Sequence, residues 1–152
     1  MIKKDKKISS GGILLSKVHQ LSGRIFNRLL KDADIDELNG AQGRILFVLW
    51  EQDNIPITDL ARKSMLTKST LTAMLDKLEE TGFIKREFDP ADRRIIRIRR
   101  SGKDGEFRAL FDRVSSDMTG IWYKGFTEQE IGRFESALEK ILNNLIEKDS
   151  NP

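Results

Sequence analysis

The chain of 152 residues contains no cysteine and only one histidine, His19. The first absence excludes disulfides, thiolate catalysis, zinc–thiolate centres and thiol-based redox sensing. The second leaves nothing from which to build a histidine metal site or a proton relay. Carboxylates do not fill the gap: Glu79 and Glu80 are sequence neighbours, and on a helix neighbours point about 100° apart. With no convergent acid–base set, neither enzymatic activity nor a bound cofactor or metal is expected. Long apolar runs are missing too. The longest, Ile45 to Trp50, falls well short of the ~20 residues that cross a bilayer. The lysines at 3, 4, 6 and 7 are not followed by an apolar segment of signal-peptide length. No membrane association and a cytoplasmic address are therefore expected.

What is present is charge, at 34% of residues against 38% hydrophobic ones, with a net charge of only +3. It is unevenly spread. Lys85, Arg86, Arg93, Arg94, Arg97, Arg99, Arg100 and Lys103 crowd one segment, opposed only by Glu87, Asp89 and Asp92. From Thr127 onward acidic residues outnumber basic ones. A basic segment within a mildly charged chain implies that a polyanion docks at one place.

After a polar, basic stretch over 1–10, read as a flexible tail, Leu14, Leu15, Val18, Leu21, Ile25 and Leu29 recur every three or four residues and predict a long amphipathic helix. Asn39 and Gln42 have capping-box spacing ahead of a helix with Ile45, Leu46 and Leu49 inward. Pro56 opens a short helix, and Thr67 caps another with Leu71, Met74, Leu75 and Leu78 buried. Gly82 stops it. The period then changes. Phe83–Phe88 and Ile95–Arg100 read as the strands of a hairpin whose tip begins with the turn-forming Asp89-Pro90 pair. Two helices close the chain, the last opening on a Thr127/Glu130 capping box and carrying a coiled-coil-like seam of Ile131, Phe134, Leu138, Ile141 and Leu145.

Two short helices joined by a tight turn and followed by a hairpin have the order of a winged helix-turn-helix. The second helix must bury one side and keep the other slim and polar to enter a major groove. With its leucines inward, Lys68, Ser69, Thr72, Ala73 and Asp76 face out, and its start (Thr67, Lys68, Ser69, Thr70, Thr72) is rich in groups that meet phosphates and base edges. Hydroxyls at a helix start also serve as plain caps, and a basic hairpin also serves as a solvated edge that resists strand pairing. The two in sequence favour DNA. Arg93 and Arg94 sit where a guanidinium reaches a minor groove, and Lys85, Arg86, Arg97 and Arg99 line the flanks as candidate phosphate contacts.

Leu38-Asn39-x-x-Gln42, Ile57-x-x-Leu60-Ala61, Thr67-Lys68-Ser69-Thr70-Leu71-Thr72, Leu78-Glu79-x-x-Gly82-Phe83-Ile84 and Asp89-Pro90-x-Asp92-Arg93-Arg94 resemble, in family order, the MarR family of transcription regulators. The resemblance implies a mainly α fold with a small β-hairpin: a single domain over 11–152, with a DNA-binding lobe at about 39–100 between dimerisation helices at about 12–32 and 104–148. It further implies a homodimer on pseudo-palindromic double-stranded DNA, acting as a repressor. Arg94 would enter the minor groove with Arg93 beside it, and Asp92 would brace the wing through an ion pair with an arginine. Many members release DNA when a small aromatic or phenolic acid binds, and His19 and Trp50 are the candidates for lining such a site, with Trp122 and Tyr123 as further aromatics. A winged helix used as a protein-interaction adaptor is the alternative. The chain departs from the family pattern in three places. The second wing strand ends in Arg100-Ser101 where Leu-Thr is usual, Gly102 and Gly105 straddle the usual glycine, and Ala73 stands where an arginine often contacts DNA.

Overall fold

Both expected capping boxes form, and they fix where two helices begin. In this computed structural model, which describes residues 9–151, Asn39 Oδ1 accepts from Gln42 N at 2.8 Å while Gln42 Oε1 accepts from Asn39 N at 3.1 Å. The element order is α1 (Gly11–Asp32), α2 (Gly40–Glu51), β1 (Ile55–Pro56), α3 (Ile57–Ser64), α4 (Lys68–Glu80), β2 (Ile84–Phe88), β3 (Ile96–Arg100), α5 (Gly105–Trp122) and α6 (Glu128–Ser150). No helix among the described residues is long and apolar enough to cross a membrane. The basic tail lies outside the described residues except for Ser9 and Ser10.

Two compact units divide the chain, residues 1–115 and 116–152. The first has a continuous core. Leu30 of α1, Ile45, Leu46 and Leu49 of α2, Leu60 of α3, Leu71, Leu75 and Leu78 of α4, and Phe83, Ile84 and Ile98 beside the wing are all essentially inaccessible. Met74, expected to be buried with the leucines, is only partly covered. Phe111 and Val114 of α5 complete this core. A Cβ placed on Gly43 would land on the Phe111 ring, so α2 meets α5 at a distance only glycine allows. Phe111 in turn meets Trp50 edge-on, with centroids 6.0 Å apart.

Chain reversal between α4 and the wing follows a Schellman pattern. Phe83 N donates to Leu78 O at 2.8 Å and Gly82 N to Glu79 O at 3.0 Å, with Gly82 at φ 82°; the left-handed conformation suits glycine. The hairpin then pairs β2 with β3 from Ile84↔Arg100 to Phe88↔Ile96. The sheet has a third strand that periodicity does not show: β1 pairs antiparallel with β3, Ile55 opposite Ile98. The wing is thereby stitched to the start of α3 rather than standing free. In the second unit, Thr127 and Glu130 form their capping box. Trp122, Tyr123, Phe126 and Phe134 make a chain of tilted and edge-on ring contacts, and no residue of α6 is buried.

Candidate nucleic-acid interface

The start of α4 is shaped by its own hydroxyls. Thr67 Oγ1 accepts from Thr70 N at 3.3 Å and donates to Thr70 Oγ1 at 2.9 Å. Thr72 Oγ1 donates to Lys68 O at 2.8 Å. Three of the five expected contact residues therefore bond within the helix end: the Thr67 and Thr72 hydroxyl protons are used there, while Thr70 Oγ1 accepts and keeps its proton. Thr70 aside, the outward polar groups are Lys68 and Ser69, whose Oγ makes only a long 3.4 Å contact with Thr67 Oγ1. Both are exposed, as are Thr72, Ala73 and Asp76, so the expected outer face is the observed one.

At the wing tip, each aspartate organises the backbone beyond it. Asp89 Oδ1 accepts from Ala91 N at 2.8 Å and Asp92 N at 3.2 Å, and these bonds, with Arg97, hold its carboxyl below the usual range. Asp92 grips Arg94 along both edges, with Nε to Oδ1 at 3.0 Å and Nη2 to Oδ2 at 2.9 Å, and its Oδ1 also accepts from Arg94 N at 3.0 Å. The Arg94 side-chain bonds are the main cause of the lowered Asp92 pKa. Despite this grip, the Arg94 side chain is 90% exposed. Arg93 lies over the exposed Phe88 ring, 5.7 Å from its centroid.

The flanking basic residues, all expected to face phosphate, divide into two kinds by their surroundings. Arg86 is 22% exposed and bonded to Glu79 at 3.0 Å, Asp76 at 2.7 Å and Thr72 O at 3.3 Å. It ties β2 to α4. Arg97 is 27% exposed and pairs with Asp89 at 3.0 Å, while its other nitrogens donate to Oδ1 and O of Asn54. Both guanidiniums are compensated and turned inward, so both are supports of the wing. Lys85, Arg93 and Arg99 are exposed, and Arg99 makes only a long 3.7 Å contact with Glu87. Solvent-exposed basic side chains thus concentrate on Lys85, Arg93, Arg94 and Arg99, of which Arg94 is paired with Asp92.

The candidates for an aromatic ligand fare differently. His19 is exposed on α1. Trp50 is half-buried, donates Nε1–H to Asp104 Oδ2 at 2.6 Å and has Arg108 over its ring at 5.6 Å. It is a packing and hydrogen-bonding residue of the α2–α5 contact. Tyr123 donates its hydroxyl to Glu135 at 2.8 Å, which raises its pKa. Sequence reasoning missed Asn54, Asp53 and Asp104, which hold the wing from elsewhere in the chain. The only local signal was Asp104 four residues after Arg100.

A model of the MarR family matches residues 38–96. The HTH-type transcriptional regulator YsmB of Bacillus subtilis is 30% identical over 102 residues, which cover 66% of this chain and 68% of that protein. The chain belongs to the MarR family. Within it, the chain is 25% identical over 131 residues to the transcriptional repressor IacR of Pseudomonas putida, covering 86% of this chain and 77% of that one. The fold matches that of a mutant E. coli MarR solved with operator DNA, with a TM-score of 0.79, 23% identity, and coverage of 90% of this chain and 99% of that chain. As a MarR-family transcription regulator, this chain has α3 and α4 as its helix-turn-helix and the β2–β3 hairpin as its wing.

Proposed function

We propose that the protein is a homodimeric repressor that reads a pseudo-palindromic operator, with α4 in the major groove and the wing tip in the flanking minor groove. One observation carries the reading: Arg94 is extended into solvent yet held from behind by Asp92. A planar cation presented in one orientation suits a narrow, electronegative groove. Lys68 and Ser69 are the groups on α4 placed to meet the duplex, while Lys85, Arg93 and Arg99 supply phosphate contacts.

Apolar stripes without cover support the dimer. Leu14, Leu15, Val18 and Leu21 are exposed along α1, and Ile141, Leu142, Leu145 and Ile146 along α6. Contiguous apolar surface of this kind marks an association site. In this reading residues 11–152 act as one domain, with 39–100 reading DNA and the flanking helices joining protomers. Release by a small aromatic acid completes the proposal; with the Trp50 indole N–H already bonded to Asp104, such a ligand would be held by other groups.

A binding screen against DNA upstream of the protein's own gene, with and without aromatic acids, tests these points together with light scattering. A dimer that retains one fragment and loses it to an aromatic acid is the expected result. A monomer at micromolar concentration contradicts the dimer, and a fragment held regardless of added acids contradicts the effector. A protein that retains no fragment but captures a protein partner is an adaptor instead.

A further inference from the structure

The two departures flanking the wing exit meet in one contact. Arg100 ends β3, and Asp104 lies between the glycines Gly102 and Gly105. Arg100 Nη1 donates to Asp104 Oδ2 at 2.9 Å, and the same oxygen accepts the Trp50 indole N–H at 2.6 Å. Asp104 is fully buried, and its carbonyl accepts from Phe107 and Arg108 at the first turn of α5. On the other side, Asp53 Oδ1 accepts from Arg100 N at 2.9 Å. One carboxylate therefore joins the last residue of the wing, the end of α2 and the start of α5.

This node is poorly built for stability alone. Asp104 Oδ1 and Arg100 Nε are buried without a hydrogen bond, and Asp53 Oδ2 stands off Arg100 Nε at 3.6 Å. Asp104 is buried and Arg100 only partly so; a desolvated pair with unmet groups is commonly no better than apolar packing, and its best-attested use is to fix register. The strand is a lever. Ile96 to Arg100 is four strand steps, so ~13 Å separates the root from the start of the tip. A rotation of ~10° at the root then moves that end by about 2 Å, more than a hydrogen bond tolerates.

We propose that the Trp50–Asp104–Arg100 node is the positioning element that aims the wing tip at DNA. Through it, the placement of α5 sets the reach of Arg94. Asp104 acts through Arg100 and β3 and does not touch DNA. The inference rests on the DNA-binding reading above, and its test has one arm that needs no DNA.

In the first arm, backbone amide NMR spectra compare the full-length protein with Asp104→Asn at a temperature where both are folded. Resonances of residues 89–95 should move, although none of them contacts Asp104. Unmoved tip resonances overturn the proposal. The second arm is a double-mutant cycle on the upstream fragment. If Arg94→Ala weakens binding tenfold in the wild-type background, it should weaken it threefold or less in Asp104→Asn. Equal fold-losses in both backgrounds overturn the proposal, as does Asp104→Asn binding with unchanged affinity. Ile35→Val, which lowers stability at a buried core position outside the sheet and the node, should leave the tenfold loss intact; a loss that shrinks there as well also overturns it. If Asp104→Asn does not fold, Trp50→Phe takes its place in both arms, with smaller changes of the same sign. Moved tip resonances in a protein that binds no fragment would uphold the positioning and refute the DNA reading instead.

Discussion

Glu79 and Arg86 bind each other twice: Glu79 Oε1 accepts from Arg86 Nη1 and Oε2 from Arg86 N, both at 3.0 Å. This cyclic contact ties the recognition helix to the first wing strand. A residue that reads as a phosphate contact from charge alone is thereby a brace between two DNA-facing elements.

Arg86→Ala should therefore lower unfolding stability by about 1.5–3 kcal/mol, the range for hydrogen bonds to charged groups. Denaturant midpoints check this. The salt dependence of DNA binding should stay as in the wild type. A variant of unchanged stability whose salt slope falls by about one unit would return Arg86 to the phosphate contacts.

Arg94→Ala should weaken operator binding by roughly 5- to 150-fold, as expected for a main groove contact, with no change in thermal midpoint. Gel shift or anisotropy reads the affinity. Unchanged affinity removes the wing tip from the interface.

Ser69→Ala should relax sequence preference more than it weakens non-specific binding, because the exposed Ser69 hydroxyl makes only a long 3.4 Å contact with the capping Thr67. Thr67→Ala should instead destabilise the protein by ~1 kcal/mol through loss of the cap. Competition against mutated operator fragments separates the two; equal effects on specific and non-specific DNA would make Ser69 a positioning contact.

Asp104 gives the acid limb of stability a defined sign. Burial pushes its pKa up, but the bonds from Trp50 and Arg100, with the charge of Arg100, outweigh it and leave the value below the ordinary 3.8. A carboxylate with a folded pKa below its unfolded one contributes stability above the unfolded value and loses it as pH falls through the folded one. The stability difference between wild type and Asp104→Asn should thus be constant from pH 7 to 5 and shrink below about pH 4. Urea unfolding across that range measures it. A difference that grows on acidification would contradict the assignment.

Gly43→Ala should cost about 1–3 kcal/mol, since the new methyl group would overlap the Phe111 ring and force α2 and α5 apart. Calorimetry of the variant checks this. An unchanged midpoint would show that the α2–α5 contact yields.

Local chemistry was the legible part of this fold. The boxes at Asn39/Gln42 and Thr127/Glu130, the stop at Gly82 and the Asp89 turn all involve partners within a few residues, so spacing reveals them. The two-residue strand β1 was not legible, because its partner Ile98 lies far along the chain and two residues show no period. The partners of Arg86 and Arg97 were hidden for the same reason. Counting charge along the segment records the guanidiniums but not the carboxylates of Asp76 and Glu79 on α4, or Asn54 beside β1. Asp104 was invisible as a junction because Trp50 lies 54 positions away.

The central claim, that the helix-turn-helix and wing together grip DNA, is tested most directly by titrating salt against binding of the upstream fragment. With about six phosphate contacts, affinity should fall ~10³-fold or more between 50 and 200 mM salt, linearly on logarithmic axes. Absence of any preferred fragment, or binding indifferent to salt, would contradict it.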